Sequence, residues 1–223
     1  MKRTVLPVRY LTLFMLLLCC LSLTGCRKSD SVTITVAGID VPIKGKLQTC
    51  IDNGLITTNN SGEEITLETT LKGREVSFDI IRLGISQAPH KTPVYVNCFN
   101  MEESEKSVYD CSILSFHYDA VSDNADQAPV LINGIDFWGM TEDEALDALK
   151  ALKIKADDDT MRESHSVTFE TGQITWTVKS EPGRYFNGDS SNPQKEVKEF
   201  DDETFYISSV DLSIANTLRI RTK

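Results

Sequence analysis

Hydrophobic residues at every second position, in short runs broken by polar turns, constrain this chain more than any other feature. Val32, Ile34 and Val36 alternate with Thr33 and Thr35. Ile65, Leu67, Thr69 and Leu71 alternate up to Lys72-Gly73, and Val76, Phe78 and Ile80 alternate after it, which reads as a hairpin. Val94 to Phe99 and Tyr109 to Ile113 are strand-like, as are Val130 to Asn133, a second hairpin of Val167 to Glu170 and Gln173 to Val178 around Thr171-Gly172, and a final pair, Thr204 to Ile214 and Leu218 to Arg221. Only two stretches have helical spacing. Lys46 to Asn53 predicts a short helix closed by Gly54, and Glu142 to about Lys153 predicts another. For the latter, Thr141 and Glu144 form a capping box, Met140 and Ala145 a hydrophobic staple, and Ala145, Leu149 and Leu152 one apolar face. The expected fold is α+β: two related units, each a short helix packed on an antiparallel sheet.

The division into units rests on Asp119 to Ala128, which is small, polar and without periodicity, and on Pro129 after it. Gly38-Ile39-Asp40 and Gly134-Ile135-Asp136 each follow a strand and precede a helix, and the order of elements repeats around them. The expected organisation is a signal peptide over 1–25, a lipidated tether over 26–31, an N-terminal α+β domain over 32–118, a linker over 119–129 and a C-terminal α+β domain over 130–223.

Lys2, Arg3 and Arg9 are followed by Leu11 to Thr24, 14 residues without a charge. That fits a signal-peptide core of ~7–15 residues and falls short of the ~20 needed to span a bilayer. Leu23-Thr24-Gly25-Cys26 resembles the lipobox of bacterial lipoproteins. The resemblance implies cleavage before Cys26 and acylation of its thiol with palmitate-type chains, anchoring the domain on the extracytoplasmic side of the cell membrane or outer membrane. Two or three such chains hold firmly, because each buried methylene contributes roughly 0.8 kcal/mol. Arg27, Lys28, Ser29, Asp30 and Ser31 then reach no more than ~18 Å, so the domain stays close to the bilayer. An ordinary secreted protein cut elsewhere, or an uncleaved anchor, is the competing reading.

Of the 23 Lys+Arg, three lie in residues 1–25, which hold no acid; the remainder carries 20 basic against 33 acidic side chains, a formal charge of about −13. No basic face is available for phosphates, so nucleic acid is excluded as a partner.

Three cysteines remain beyond Cys26. Cys98 and Cys111 lie on adjacent strand-like runs and come together if these form a hairpin; in an oxidising compartment they either bridge or stay as two buried thiols. Cys50 shares a helical face with Leu47 and Ile51, which places it in the core.

Gly134-Ile135-Asp136-Phe137-Trp138-Gly139-Met140-Thr141-Glu142-Asp143-Glu144-Ala145 resembles the helix start of Firmicute lipoproteins of unknown function. It is more remotely similar to BamE and to β-lactamase inhibitor protein, whose fold sets a helical pair on an antiparallel sheet. Gly38 to Pro42, Asn53-Gly54 and Asp110 to Ile113 resemble the N-terminal part of the same lipoproteins. The resemblance implies a fold and no activity. The chain departs from it at Leu152-Lys153-Ile154-Lys155, where BamE-like helices often close with Leu-Gly-x-Pro, and at Gly54-Leu55.

No chemical motif accompanies this fold. His90, His117 and His165 have no nucleophile motif beside them, and there is no ligand-spaced Cys/His pair, so no catalytic residue, metal or cofactor is assigned. Asp157-Asp158-Asp159 and Asp201-Asp202-Glu203 lack the alternating ligands of a calcium loop and read as solvated turns. Tyr185 and Phe186, in a loop containing Pro182, Gly183 and Gly188, and Trp138 before the second helix are the candidate binding residues, since aromatic anchors on loops carry recognition. For Phe137 and Trp138 the competing reading is a lid packed inward. The expected function is a membrane-anchored binding or adaptor module for an envelope protein or polymer. The alternative is an envelope hydrolase built on a histidine.

Overall fold

The period-two runs fold into antiparallel sheets, and the side chains that alternate inward form one hydrophobic core. The computed structural model describes residues 32–59, 61–77, 81–85, 93–121, 128–186 and 200–214. The leader, Cys26 and the tether, the run Leu218 to Arg221, Phe78 to Ile80, His90 and most of the expected linker lie outside the described residues. In order, the elements are β1 (Ile34–Val36), β2 (Ile39–Asp40), α1 (Leu47–Asp52), β3 (Leu55–Thr58), β4 (Thr70–Leu71), β5 (Ile81–Ile85), β6 (Val94–Phe99), β7 (Lys106–Ser107) and β8 (Ser112–Asp119), followed by β9 (Val130–Ile132), α2 (Glu142–Ala151), α3 (Asp158–Ser164), β10 (Ser166–Thr171), β11 (Ile174–Pro182) and β12 (Phe205–Ile214). The chain is mixed α+β, mostly antiparallel sheet with few helices.

Seven strands form one sheet in the order β10-β11-β12-β8-β6-β5-β3, so β12 and β8, from either side of residues 119–129, are neighbours at its centre. A three-stranded sheet, β2-β1-β9, joins the two sides a second time. Ile34, Val36, Val130 and Ile132 of this smaller sheet belong to the same core as Phe116, Tyr118, Trp176, Val210 and Leu212 of the larger one. Trp176 is fully buried, stacks on Phe169 at 5.5 Å and donates its indole N–H to Thr171 Oγ1 at 2.7 Å, which satisfies its polar atom.

Several features occur once on each side. Ala37-Gly38 (φ 53° and 78°) and Asn133-Gly134 (φ 51° and 79°) make the same tight turn with two positive φ angles, the hairpin geometry in which the second residue favours glycine. Thr35 pairs with Leu131 where β1 meets β9. In the large sheet β8 is bulged at Leu114 against β6, and β12 at Ser208 against β11. Lys46 before α1 bridges Ser112, as Thr141 before α2 bridges Tyr206.

The helix with the stronger signals forms as expected. Thr141 Oγ1 accepts from Glu144 N–H at 3.3 Å and Glu144 Oε2 accepts from Thr141 N–H at 2.9 Å, a cap that contributes about 1 kcal/mol. Ala145, Leu146 and Leu149 are buried, and the helix packs on β12; Leu152, expected on the same apolar face, instead caps the helix end and is exposed. Two further expectations need correction. Asp157-Asp158-Asp159 does not form a mere solvated turn: Asp157 caps α3 by accepting from Thr160 N–H at 3.0 Å, and Met161 fixes the helix to the core. Among the described residues the hairpin expected around Lys72-Gly73 does not form either: β4 pairs with β7 and Val76 bridges Phe99. Asn100 directs this pairing. Its amide donates to Leu71 and Lys72 carbonyls at 3.0 and 3.1 Å and to Ser104 O at 2.7 Å. Gly73 seals it, since a Cβ there would lie 1.9 Å from Glu103 O.

Candidate functional site

Burying one set of alternate residues leaves the other set on the opposite face of the seven-stranded sheet. Strand register aligns them into a single transverse row. Thr168, Thr177, Asp211, His117, Tyr95, Arg82 and Thr58 are successive cross-strand partners, one from each strand. Every member is polar, and several adjacent members interact. Thr168 and Thr177 hydroxyls are 3.1 Å apart, and His117 Nδ1 lies 2.6 Å from Asp211 Oδ1. The His117 ring stands 5.7 Å from that of Tyr95, and Arg82 donates to Tyr95 Oη at 3.0 Å with its guanidinium over the ring. Lys179 Nζ approaches the other Asp211 oxygen at 4.0 Å.

The middle of this row borders a recess of about 310 Å³ lined by Tyr95, Val96, Asn97, Ser115, His117 and Asp119. Its polar groups are held: Asn97 donates to Ser115 Oγ at 3.1 Å, and Asp119 Oδ1 accepts from Val121 N–H at 3.0 Å. At the β5–β3 end, Arg82 Nε and Thr58 Oγ1 are buried without a hydrogen-bond partner among the described residues. Such atoms favour a ligand or water, since an unsatisfied buried polar atom costs about 1–3 kcal/mol. Chemically the row offers a phenol, an imidazole oriented by a carboxylate, a guanidinium and several hydroxyls. That set recognises polar ligands by hydrogen bonding.

His165 makes a second histidine–carboxylate pair, with Glu142 at the start of α2. It ends α3 in the left-handed region at φ 54°, stacks on Phe205 at 3.6 Å and sets Nδ1 2.9 Å from Glu142 Oε1. The same oxygen accepts from the buried Ser180 hydroxyl. Glu142 thus joins the start of α2 to β11 and the end of α3. Because serine and histidine both address the carboxylate, this is not a nucleophile–base pair.

The aromatic residues expected to bind are divided by the structure. Tyr185 is 56 % exposed, with Arg184 over its ring, and Trp138 is 38 % exposed. Phe186 is buried, contacting Phe200 at 4.9 Å and Tyr206 at 5.8 Å, so it supports the surface without forming it. Of the Phe137–Trp138 pair, Phe137 is wholly buried and Trp138 stands edge-on to Phe200 at 6.1 Å.

Cys50, Cys98 and Cys111 are free and buried. Burial pushes the Cys50 thiol up to about 12 and raises those of Cys98 and Cys111 as well, which suppresses their nucleophilic thiolate forms. Among the described residues no group of three His, Cys, Asp or Glu side chains is placed to hold a metal ion. Asp201 instead turns its carboxylate onto Thr204 Oγ1, Thr204 N–H and Glu203 N–H, contacts that lower its pKa, the Thr204 hydroxyl foremost.

Sequence reasoning missed Arg82, Tyr95, Asn97, Ser115 and Asp211. Alternation alone puts Tyr95 with Asn97 and Ser115 with His117 on one face. The signal that His117 meets Asp211 exists only in the register of β8 on β12. No protein-family model, curated protein or solved structure matches the chain.

Proposed function

We propose that this protein is a lipid-anchored module of the bacterial cell envelope, held on the extracytoplasmic side of the cell membrane or outer membrane through acylated Cys26, that binds an envelope protein or polymer on the open face of its large sheet. The charge-free run Leu11 to Thr24 and the lipobox-like Leu23-Thr24-Gly25-Cys26 support the anchor. The observation that carries the binding reading is the polar row through His117 and Tyr95, with its recess and its unpartnered Arg82 Nε. A face kept only for solubility has no need of a side-chain ladder ordered across seven strands.

In this reading the domain consists of two related α+β units. Their twin turns, the antiparallel pairing of β1 with β9 and of β8 with β12, and the bulges at Leu114 and Ser208 all support a repeat around one approximate two-fold axis. His117 and Asp211 then occupy equivalent places in the two units, and the candidate site lies on the axis between them. The resemblance of Gly134 to Ala145 to the start of BamE-like helices belongs to this reading of the fold and brings no activity with it.

A second reading, an envelope hydrolase, draws on the same pair, because a histidine oriented through Nδ1 by a carboxylate is how a general base is held. Against it, no described serine, threonine or cysteine hydrogen-bonds to His117.

Crosslinking and recovery of the intact lipoprotein from native membranes, beside Cys26→Ala and a Tyr95→Ala/His117→Ala double variant, tests the proposal. A partner recovered with the intact protein and lost from both variants supports it. Equal recovery with the double variant removes the open face as the site. Hydrolysis by the intact protein that is lost in His117→Ala favours the second reading.

A further inference from the structure

We propose that the end of the domain bearing Trp138 and Tyr185 rests on the membrane surface, with these two rings in the headgroup region. This rests on the reading of Cys26 as the lipid anchor. The first described residues fix where the anchored chain enters the fold. Thr33 N–H donates to Asn133 Oδ1 at 2.8 Å, and Asn133 N–H donates to Thr33 O at 2.8 Å, so the chain enters beside the Asn133-Gly134 turn. The other end of β1 is closed off by Ala37 N–H on Pro129 O.

Chain length then sets two limits. Six steps from Cys26 to Val32 reach no more than ~22 Å, and five steps from Asn133 to Trp138 span no more than ~18 Å. Both limits run from the Thr33–Asn133 contact, so the tether and Trp138 are tied by short stretches of chain to the same end of β1. Tyr185 comes with Trp138, because its neighbour Phe186 and the Trp138 ring both pack on Phe200.

The chemistry of this end suits a lipid headgroup layer. Tryptophan and tyrosine concentrate at membrane interfaces, where an apolar ring with a polar tip matches a boundary between hydrocarbon and water. Trp138 and Tyr185 are large hydrophobic side chains that the fold leaves exposed while Phe186 and Phe200 behind them are buried, so the rings stand on a firm base. Arg184, over the Tyr185 ring, adds a guanidinium that can reach phosphate while its stem stays with the ring. Two exposed neighbouring acids are engaged by local hydrogen bonds: Asp136 Oδ1 accepts from Trp138 N–H at 3.1 Å, and Asp201 accepts from Glu203 and Thr204. The remaining negative charge of the domain favours a zwitterionic surface over an anionic one.

The chain carries its own probe. It has two tryptophans, Trp138 and the fully buried Trp176, so lipid-borne quenching reads Trp138. The intact lipoprotein is reconstituted into phosphatidylcholine vesicles with and without bromine on the upper acyl chain, and emission and recovery with the vesicles are both measured. The expected result is recovery with the vesicles and a loss of emission in brominated lipid that disappears in Trp138→Phe. Recovery without quenching overturns the proposed orientation and leaves the anchor standing. Failure of the protein to remain with the vesicles overturns the anchor, and the orientation with it.

Discussion

The two histidine–carboxylate pairs use the same contact, an imidazole Nδ1 on a carboxylate oxygen, but differ in how their carboxylates are held. His165 and Glu142 sit where α2, α3 and β11 converge, with Phe205 stacked on the ring and the buried Ser180 sharing the carboxylate. His117 and Asp211 lie at the middle of the large sheet on its open side, beside a recess. Both pairs border a recess and the two imidazoles are similarly exposed; the difference lies in the carboxylate, since Glu142 is held mostly inside the fold and shared with Ser180, while Asp211 is as open as its histidine. A histidine–carboxylate contact by itself therefore indicates nothing about function. What surrounds it decides whether removing it costs stability or recognition.

Substitutions can break this comparison. Glu142→Ala should be the most damaging, by about 2 kcal/mol in denaturant unfolding, since it removes the nearer acceptor of the buried Ser180 hydroxyl, the carboxylate that holds His165 and an acid from the start of α2. Thr141→Ala, one residue away, should cost about 1 kcal/mol through the lost cap alone. His117→Ala should stay within about 0.5 kcal/mol of the parent, as half-exposed ion pairs usually do, while abolishing partner recovery. If His117→Ala destabilises as much as Glu142→Ala, the division between a structural and a recognition pair is wrong.

The smallest expected effect sharpens the treatment of the exposed acids. Asp201 has a lowered pKa in the fold, so its hydrogen bonds stabilise the turn above the ordinary carboxylate range, and that contribution is lost as pH falls through the folded value. Asp201→Asn should slightly lower the melting temperature at neutral pH, and the gap to the parent should close in acid. A gap that widens on acidification would contradict the assignment. For the thiols, alkylation of the folded domain at neutral pH should label none of Cys50, Cys98 and Cys111, and unfolding without reductant should expose all three; labelling of Cys50 alone would reveal a Cys98–Cys111 bridge.

Local signals were legible in the sequence where they were dense. The capping box of α2 and the Thr171-Gly172 hairpin follow from neighbours within a few residues, and both form. The α3 helix was not visible, because seven residues with Met161 as their only buried side chain leave no apolar period to read. Nor was the pairing of β4 with β7, which depends on the Asn100 amide and on the close approach of Gly73 to Glu103. The row through His117 was half legible. Alternation fixes which residues share a face of each strand, but which of them become neighbours depends on register across strands far apart in the chain.

The central claim, that recognition takes place on the open sheet face, is most directly tested by placing a photo-reactive benzoylphenylalanine at Asn97, beside the recess, or at Glu163 on α3, and irradiating the intact lipoprotein in native membranes. The account predicts a specific adduct, protein or polymer, from position 97 that is absent when His117→Ala is combined with it, and none from position 163. An adduct from position 163 with nothing at position 97 would contradict it.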